Sequence, residues 1–158
     1  MQEKETLNTP NFSDISYGRI LSLDIGTKKI GVATCDETQT AIRPLPRIER
    51  KSWKELLKKT IKLIEELDAV ALVLGLPLNM DETENEMCIE VRRLYRNYSL
   101  SLKIPVYLQD ERLTSMFADK YLNLQKLPEK KIRKEIDSEA AVLILNDFLS
   151  LKEQNYVD

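Results

Sequence analysis

The chain has 158 residues, a formal net charge of −2 and 42% hydrophobic residues, which is typical of one folded globular domain. No apolar run reaches the ~18 residues of a membrane span, and the polar amino terminus shows no export signal. We therefore expect a cytoplasmic protein with no membrane contact. The absence of histidine excludes Ser-His and Cys-His nucleophiles and the usual zinc sites that contain histidine. A metal site in this chain needs oxygen ligands, which favours Mg²⁺ or Mn²⁺.

Residues 1–17 are polar and aperiodic, and they predict a flexible amino-terminal tail, lightly packed through Phe12 and Tyr17. A single domain is expected over 18–158. Cys35 and Cys88 lie far apart and belong to no CxxC pair, so we expect reduced core residues and no disulfide.

The stretch that dominates the sequence is GRILSLDIGTKKIGVATCD, residues 18–36. It reads as two apolar strands joined by a short turn that contains Gly26, which is a hairpin pattern. Because alternate residues of a strand share a face, Ser22 and Asp24 are expected on one face, opposite Leu21 and Leu23. Asp24 is then either a carboxylate fixed at the end of a buried strand or an ordinary Asp-Gly turn residue.

The next segments continue the alternation of strands and helices. Residues 40–48 contain two prolines and predict an edge strand. Ser52 is expected to cap a helix that ends near Leu67, with lysines on its solvent side. The continuous apolar run 70–76 predicts a strand buried on both faces.

The second half of the chain repeats this order. Thr83 and Glu86 predict a capping box for a second helix, and 104–109 predicts a short strand. Thr114 or Ser115 would cap a third helix, and 136–151 predicts the last one. This order suits an α/β fold with a five-stranded mixed sheet flanked by helices: three meandering strands and two crossovers.

In such sheets, functional residues gather beyond the carboxyl ends of the parallel strands. Asp24 and the pair Asp110 and Glu111 fall at such ends, and Asp137 approaches from the last helix. Carboxylates within ~5 Å repel one another unless a cation lies among them. We predict that Asp24, Glu111 and Asp137 bind one or two Mg²⁺ or Mn²⁺ ions for phosphodiester cleavage.

Two details of this acidic set stay open. Adjacent strand residues face opposite ways, so one of Asp110 and Glu111 should face Asp24. Glu111 is slightly favoured for its longer reach, and the other residue is then a salt-bridge partner of Arg112. Asp137 is alternatively only a helix cap.

Basic and polar residues near these carboxylates predict contacts with nucleic acid. Asn79 lies beyond a strand end and beside a helix amino terminus, where anions bind well. Lys29 and Arg112 are equally compatible with surface charges. The full predicted set is Lys28, Lys29, Asn79, Arg112, Lys130, Lys131 and Arg133.

Four motifs, in order and spacing, resemble the YqgF family, also called RuvX or Holliday-junction-resolvase-like proteins. They are GRILSLDIGTKKIGVATCD, VLGLPLNMDETENE, QDERLTS and IDSEAAVLIL. The resemblance covers about residues 18–150. It implies a ribonuclease H-like fold and a nuclease that processes the 5′ end of pre-16S rRNA in the bacterial cytoplasm. The family's acidic residues fall on Asp24, the 110–111 pair and Asp137.

One position departs from the family pattern, because Glu82 stands where a glycine usually follows NMD. Three other functions remain as alternatives. A Holliday junction resolvase would act on branched DNA, and as a homodimer rather than a monomer it would present two sites. A non-catalytic RNA-binding assembly factor would retain the fold alone. An actin-like ATPase would need a second phosphate loop, which this chain lacks.

Overall fold

The computed structural model describes residues 12–111 and 129–156, except for the side chains of residue 12 and of 129–137 and 153–156. After a 3-10 helix at Phe12–Ile15, the strands are β1 (Ile20–Ile25), β2 (Lys29–Cys35), β3 (Ile42–Glu49), β4 (Ala71–Leu76) and β5 (Val106–Asp110). The helices are α1 (Trp53–Leu67), α2 (Glu86–Ser101) and α3 (Glu129–Tyr156).

The five strands form one mixed sheet in the order β3-β2-β1-β4-β5. β2 is antiparallel to both β1 and β3, whereas β1, β4 and β5 run parallel. The predicted mixed α/β sheet is therefore confirmed, and the proline-containing β3 is an edge strand as expected. β1, β4 and β5 are neighbours that run in the same direction, so their carboxyl ends lie at one edge of the sheet.

Each face of the sheet is covered by different helices. On one face, which we call the α1–α2 face, Leu21, Leu23, Leu72 and Leu74 pack against both helices. Full burial of each such leucine stabilises the fold by roughly 1.5–3 kcal/mol. The other face, the α3 face, packs Ile20 and Val73 of the sheet against Ile144 and Phe148.

Alternation along β1 places Ser22 and Asp24 on the α3 face, as the sequence predicted. The Ser22 hydroxyl donates a 2.7 Å hydrogen bond to the carbonyl of Ala141 in α3. Near the carboxyl end of α3, the Lys152 ammonium donates to the carbonyl of Ser16, which precedes β1. The helix therefore runs antiparallel to β1 across this face.

Several local predictions need correction. Asn85, and not Thr83, caps α2, because its side chain accepts from the Cys88 amide. α3 begins at Glu129, well before residue 136. Asp137 is therefore inside the helix, and its interpretation as a helix cap is wrong. The predicted cap at Thr114 or Ser115 lies outside the described residues.

The segment before β1 packs through Ile15, and not through Tyr17 as predicted. Ile15 is 1% exposed, whereas Tyr17 is 62% exposed and bonds only at the surface, to Glu37. The Gln39 side-chain amide donates to the carbonyls of Ile15 and Gly18, at 2.7 and 3.0 Å. This polar contact fastens the segment to the β2–β3 turn.

Both cysteines lie in the core of the sheet. Cys35 and Cys88 are both free and buried, in agreement with their predicted place in the core. Within the described parts of the chain, none of the helices combines the length and hydropathy that a membrane span requires.

Candidate active site

Asp24 is the only acidic residue of β1, and it lies near the strand's carboxyl end. It pairs with Gly31 of β2, and its neighbour Leu23 pairs with Leu74 of β4. Burial raises the pKa of the Asp24 carboxyl, because the charged form loses contact with water. The sheet therefore holds this carboxyl where its ionisation costs free energy.

Glu111 reaches the same edge from β5. Its amide donates to the carbonyl of Leu76 at 3.1 Å, which continues the β4–β5 pairing one residue past the strand. Burial raises the pKa of the Glu111 carboxyl to about 8, and the negative charges of Asp24 and Asp110 add to that rise. The charge of Asp24 on one strand thus adds to the raised pKa of a carboxyl that follows another strand.

Gly75 makes room for the Glu111 carboxylate. A Cβ atom at this glycine would stand 2.5 Å from Oε2 of Glu111 and 2.4 Å from Cδ1 of Ile144. Both distances are shorter than van der Waals contact allows, so any side chain would displace the carboxylate or α3. A glycine inside an apolar strand often marks such a close approach, and this signal in the 70–76 run would have revealed the contact.

The geometry also separates Asp110 from Glu111. Asp110 pairs with Leu76 of β4 and shares the strand side of Leu108, which packs on the α1–α2 face. Glu111 follows on the opposite side and lies against Ile144 of α3. Of the two, Glu111 therefore shares the face of Asp24.

The backbone of Asp137 lies at the level of Asp24. Ser22 bonds to Ala141 across the interface, and α3 runs against β1. One helical turn back along α3 is about 5.4 Å, and two residues forward along β1 are about 6.6 Å. These steps lead to Asp137 and Asp24 respectively. The side chain of Asp137 lies outside the described atoms.

No group of three or more possible metal ligands (His, Cys, Asp or Glu) occurs among the side chains that the structure describes. Of the three predicted metal ligands, the structure describes the side chains of Asp24 and Glu111. Their chemistry suits a hard divalent cation, because both donors are carboxylate oxygens and burial leaves their charge poorly screened. A divalent charge between them would offset the cost of burying their charge, and with it the repulsion from Asp24 that adds to the raised pKa of Glu111.

The basic residues predicted to contact nucleic acid lie in different parts of the chain. Lys28 and Lys29 are exposed in the β1–β2 hairpin, close in sequence to Asp24. Lys130, Lys131 and Arg133 belong to the first turns of α3, and their side chains are outside the description, as is Arg112.

Asn79 is committed to its own loop. Its Nδ2 donates to the Thr83 hydroxyl at 3.0 Å, and its Oδ1 accepts from Asn85 at 3.1 Å. Asn85 in turn caps α2. The amide of Asn79 thus organises the loop before α2, and a phosphate contact would have to compete with these bonds.

Glu82 lies in the same loop with a φ of 69°, in the left-handed region. Glycine adopts this conformation without steric cost, whereas other residues are strained. The departure from the family pattern therefore places a strained residue where the backbone favours glycine.

Comparison with known proteins decides the family. A family model described as "RuvX: Holliday junction resolvase" matches residues 18–151. The chain belongs to the RuvX family. Family membership makes it a nuclease, a hydrolase that acts on phosphodiester bonds.

Similar RuvX proteins include one from Syntrophus aciditrophicus, 38% identical over 139 residues that cover 88% of this chain and 93% of that protein. Another, from Rippkaea orientalis, is 39% identical over 129 residues, or 82% of this chain and 93% of that protein. Both are named "Putative pre-16S rRNA nuclease".

Among solved structures, the chain resembles Thermus thermophilus RuvC in complex with a Holliday junction substrate. The TM-score is 0.53 at 11% identity, with 85% of this chain and 96% of that chain covered. At this identity the likeness concerns the fold, and it confirms the ribonuclease H-like architecture that the sequence motifs implied.

Proposed function

We propose that this RuvX protein is a divalent-metal-dependent nuclease that cleaves the precursor of 16S rRNA near its 5′ end, in the cytoplasm. The observation that carries this proposal is the position of Glu111 over the bare backbone of Gly75, on the face of Asp24 and within reach of its charge, at the carboxyl edge of the sheet. A partly buried pair of like charges lowers stability, so it is expected where a cation or substrate uses it.

Asp24 and Glu111 would hold Mg²⁺ or Mn²⁺, with Asp137 as the third carboxylate from the facing helix. Such an ion, when bound, lowers the pKa of a water molecule and stabilises the leaving oxygen of a phosphodiester. Glu111 has a pKa of about 8, so near neutral pH it must lose a proton before it serves as a ligand. Cation binding should therefore release protons.

The other groups of the site bind and orient the substrate. Lys28 and Lys29 are exposed in the turn that follows Asp24 in the sequence, and we infer that their ammonium groups neutralise backbone phosphates. Such contacts position the nucleic-acid strand and do not depend on its base sequence. Asp110, on the other side of β5, is assigned no ligand role.

The names of the relatives support the RNA substrate, and the description of the family model supports a second candidate. A four-way DNA junction has two strands to cut, so a resolvase would act as a symmetric homodimer with two sites. Cleavage of both substrates at the same salt concentration would decide between them, since salt alone changes affinity strongly.

The central experiment compares Asp24→Asn with the wild type in Mn²⁺, in Mg²⁺ and in EDTA. We expect cleavage to fall at least ~100-fold in the variant, because one charged oxygen ligand is lost. Asp68→Asn is the matched control, since Asp68 is an exposed cap of α1 with a φ of 52°, which asparagine tolerates. Cleavage that survives both EDTA and Asp24→Asn would overturn the mechanism. Binding of RNA without turnover would favour an assembly factor.

A further inference from the structure

The turn that follows Asp24 is held from outside the hairpin by Arg50. The backbone amide of Arg50 donates to the carbonyl of Lys28 at 2.8 Å. Its guanidinium Nη1 donates to the carbonyl of Gly26 at 3.1 Å. One residue, just beyond the end of β3, therefore bonds the turn at both ends.

The guanidinium is itself held by α2. Its Nη2 pairs with Oε1 of Glu90, and the Arg50 side chain is only 16% exposed. Glu90 also accepts two hydrogen bonds from Arg93, at 2.9 and 2.7 Å. Together these arginines hold the pKa of the Glu90 carboxyl at about 2, so Glu90 stays charged throughout the neutral range. We call Arg50 and Glu90 the turn clamp.

The turn itself is tight. The Gly26 amide donates to the carbonyl of Lys29 at 3.0 Å, and a Cβ atom at Gly26 would stand 2.4 Å from that oxygen. Gly26 comes two residues after Asp24, whereas Glu111 comes from a different strand. The turn is thus a direct continuation of the strand end that carries Asp24.

We propose that Arg50, anchored by Glu90, is a positioning residue of the nuclease site. It fixes the β1–β2 turn, and through the turn it orients Asp24 toward Glu111 and Lys28 toward the substrate backbone. The inference rests on the proposed nuclease function. Errors of about 1 Å in the placement of reacting groups cost roughly 100-fold in rate, so the clamp acts on catalysis without touching the substrate.

A simple structural role would have different consequences. If the clamp only fastened α2 to the sheet, its loss would lower the stability of the protein and leave the folded enzyme fully active. Arg93 offers a matched comparison, because it binds the same Glu90 carboxylate but makes no contact with the hairpin among the described residues.

The test measures kcat and KM for an RNA carrying the 5′ precursor segment, at a temperature where every variant is folded. We expect Arg50→Gln to lower kcat about 10- to 100-fold with a smaller change in KM. Arg50→Lys should recover part of the loss, because lysine keeps the charge but lacks the planar fork that spans Gly26 and Glu90. Arg93→Gln should remain within about threefold of the wild type. A wild-type kcat for folded Arg50→Gln would overturn the proposal.

A second readout separates this inference from the proposed function. Amide hydrogen exchange in Arg50→Gln should accelerate locally over residues 26–30 and stay unchanged in β4, and the affinity for Mn²⁺ should fall. Exchange that rises equally across the sheet, or an unchanged affinity for Mn²⁺, would overturn the positioning role. Absence of cleavage by the wild type in Mn²⁺ would overturn the nuclease proposal instead, and the exchange and Mn²⁺ results would still decide whether Arg50 orients the turn.

Discussion

The two faces of the sheet differ in what they do with polar groups. On the α1–α2 face, the core under the helices is formed by aliphatic side chains of the central strands, and Leu21, Leu23, Leu72 and Leu74 are each 0% exposed. The α3 face mixes apolar contacts with buried hydroxyls and with the carboxyls of the site. The first face therefore supplies stability, and the second gives up some stability for chemistry.

The polar groups of the α3 face are themselves of two kinds. Away from the edge, hydroxyls are satisfied: Ser22 donates to the carbonyl of Ala141, and Ser138 to that of Leu45, both at 2.7 Å. At the edge, Asp24 and Glu111 have raised pKa values because burial penalises their charge. A satisfied hydroxyl is neutral or favourable for folding, whereas an uncompensated carboxylate is not.

The largest effect is expected on the apolar face. Leu74→Ala should destabilise the protein by about 2–5 kcal/mol, because it leaves a cavity in a closely packed core. Chemical denaturation would measure this loss. The rate constant for cleavage by the folded fraction should stay close to that of the wild type, since Leu74 points away from the site. A large loss of kcat without a loss of stability would contradict the separation of the two faces.

Gly75→Ala lies one residue further along β4 and should affect both properties. The added methyl group would meet Glu111 and Ile144, so we expect roughly 1–3 kcal/mol of destabilisation from overpacking. Because the carboxylate must move, cleavage should also fall sharply. Leu74→Ala is the control for stability. Cleavage by Gly75→Ala at the wild-type rate would show that catalysis does not depend on the position of Glu111 over this residue.

Glu111→Gln should stabilise the metal-free protein. Glu111 binds its proton more tightly in the folded chain, with a pKa of about 8 against the ordinary 4.5. The stability of the wild type should therefore be complete below pH 4.5 and decline as pH rises to about 8. At pH 8 the variant should be more stable by about 1–3 kcal/mol.

Thermal or urea unfolding at several pH values, in EDTA, would measure this difference. Glu65→Gln, at an exposed position of α1, is the control and should leave the pH dependence unchanged. Mn²⁺ should restore the stability of the wild type at pH 8 but not that of Glu111→Gln. Equal pH dependence of stability in the wild type and in Glu111→Gln would contradict a raised pKa for the Glu111 carboxyl.

The smallest effect concerns the loop before α2, outside both faces. Glu82→Gly should relieve left-handed strain at φ 69° and raise stability by at most ~1 kcal/mol, because glycine also gains freedom in the unfolded chain. Urea unfolding would detect it. Glu84 does not have a positive φ, so Glu84→Gly should be neutral or destabilising. Destabilisation by Glu82→Gly would mean that the glutamate side chain contributes more than its backbone costs.

Local rules predicted most elements of the fold. The alternation in β1 placed Asp24 with Ser22, and the continuous apolar run of β4 predicted burial on both faces. Ser52 was the cap of α1 as expected. The cap of α2 was wrong, because both Thr83 and Asn85 are good capping residues and the choice depends on how the loop folds. The contact of Asn79 with an anion stays a prediction, and the structure adds that its amide bonds within the loop.

The sequence by itself determined the succession of strands and helices along the chain, the family and the acidic residues that follow the strand ends, because those features follow from periodicity and motif spacing. Only the tertiary structure decided that Glu111, and not Asp110, shares the face of Asp24. It alone showed the space over Gly75 and the pairing of Arg50 with Glu90. These contacts join separate elements, and local sequence preferences act within one element, so they cannot specify which side chains meet when the elements pack.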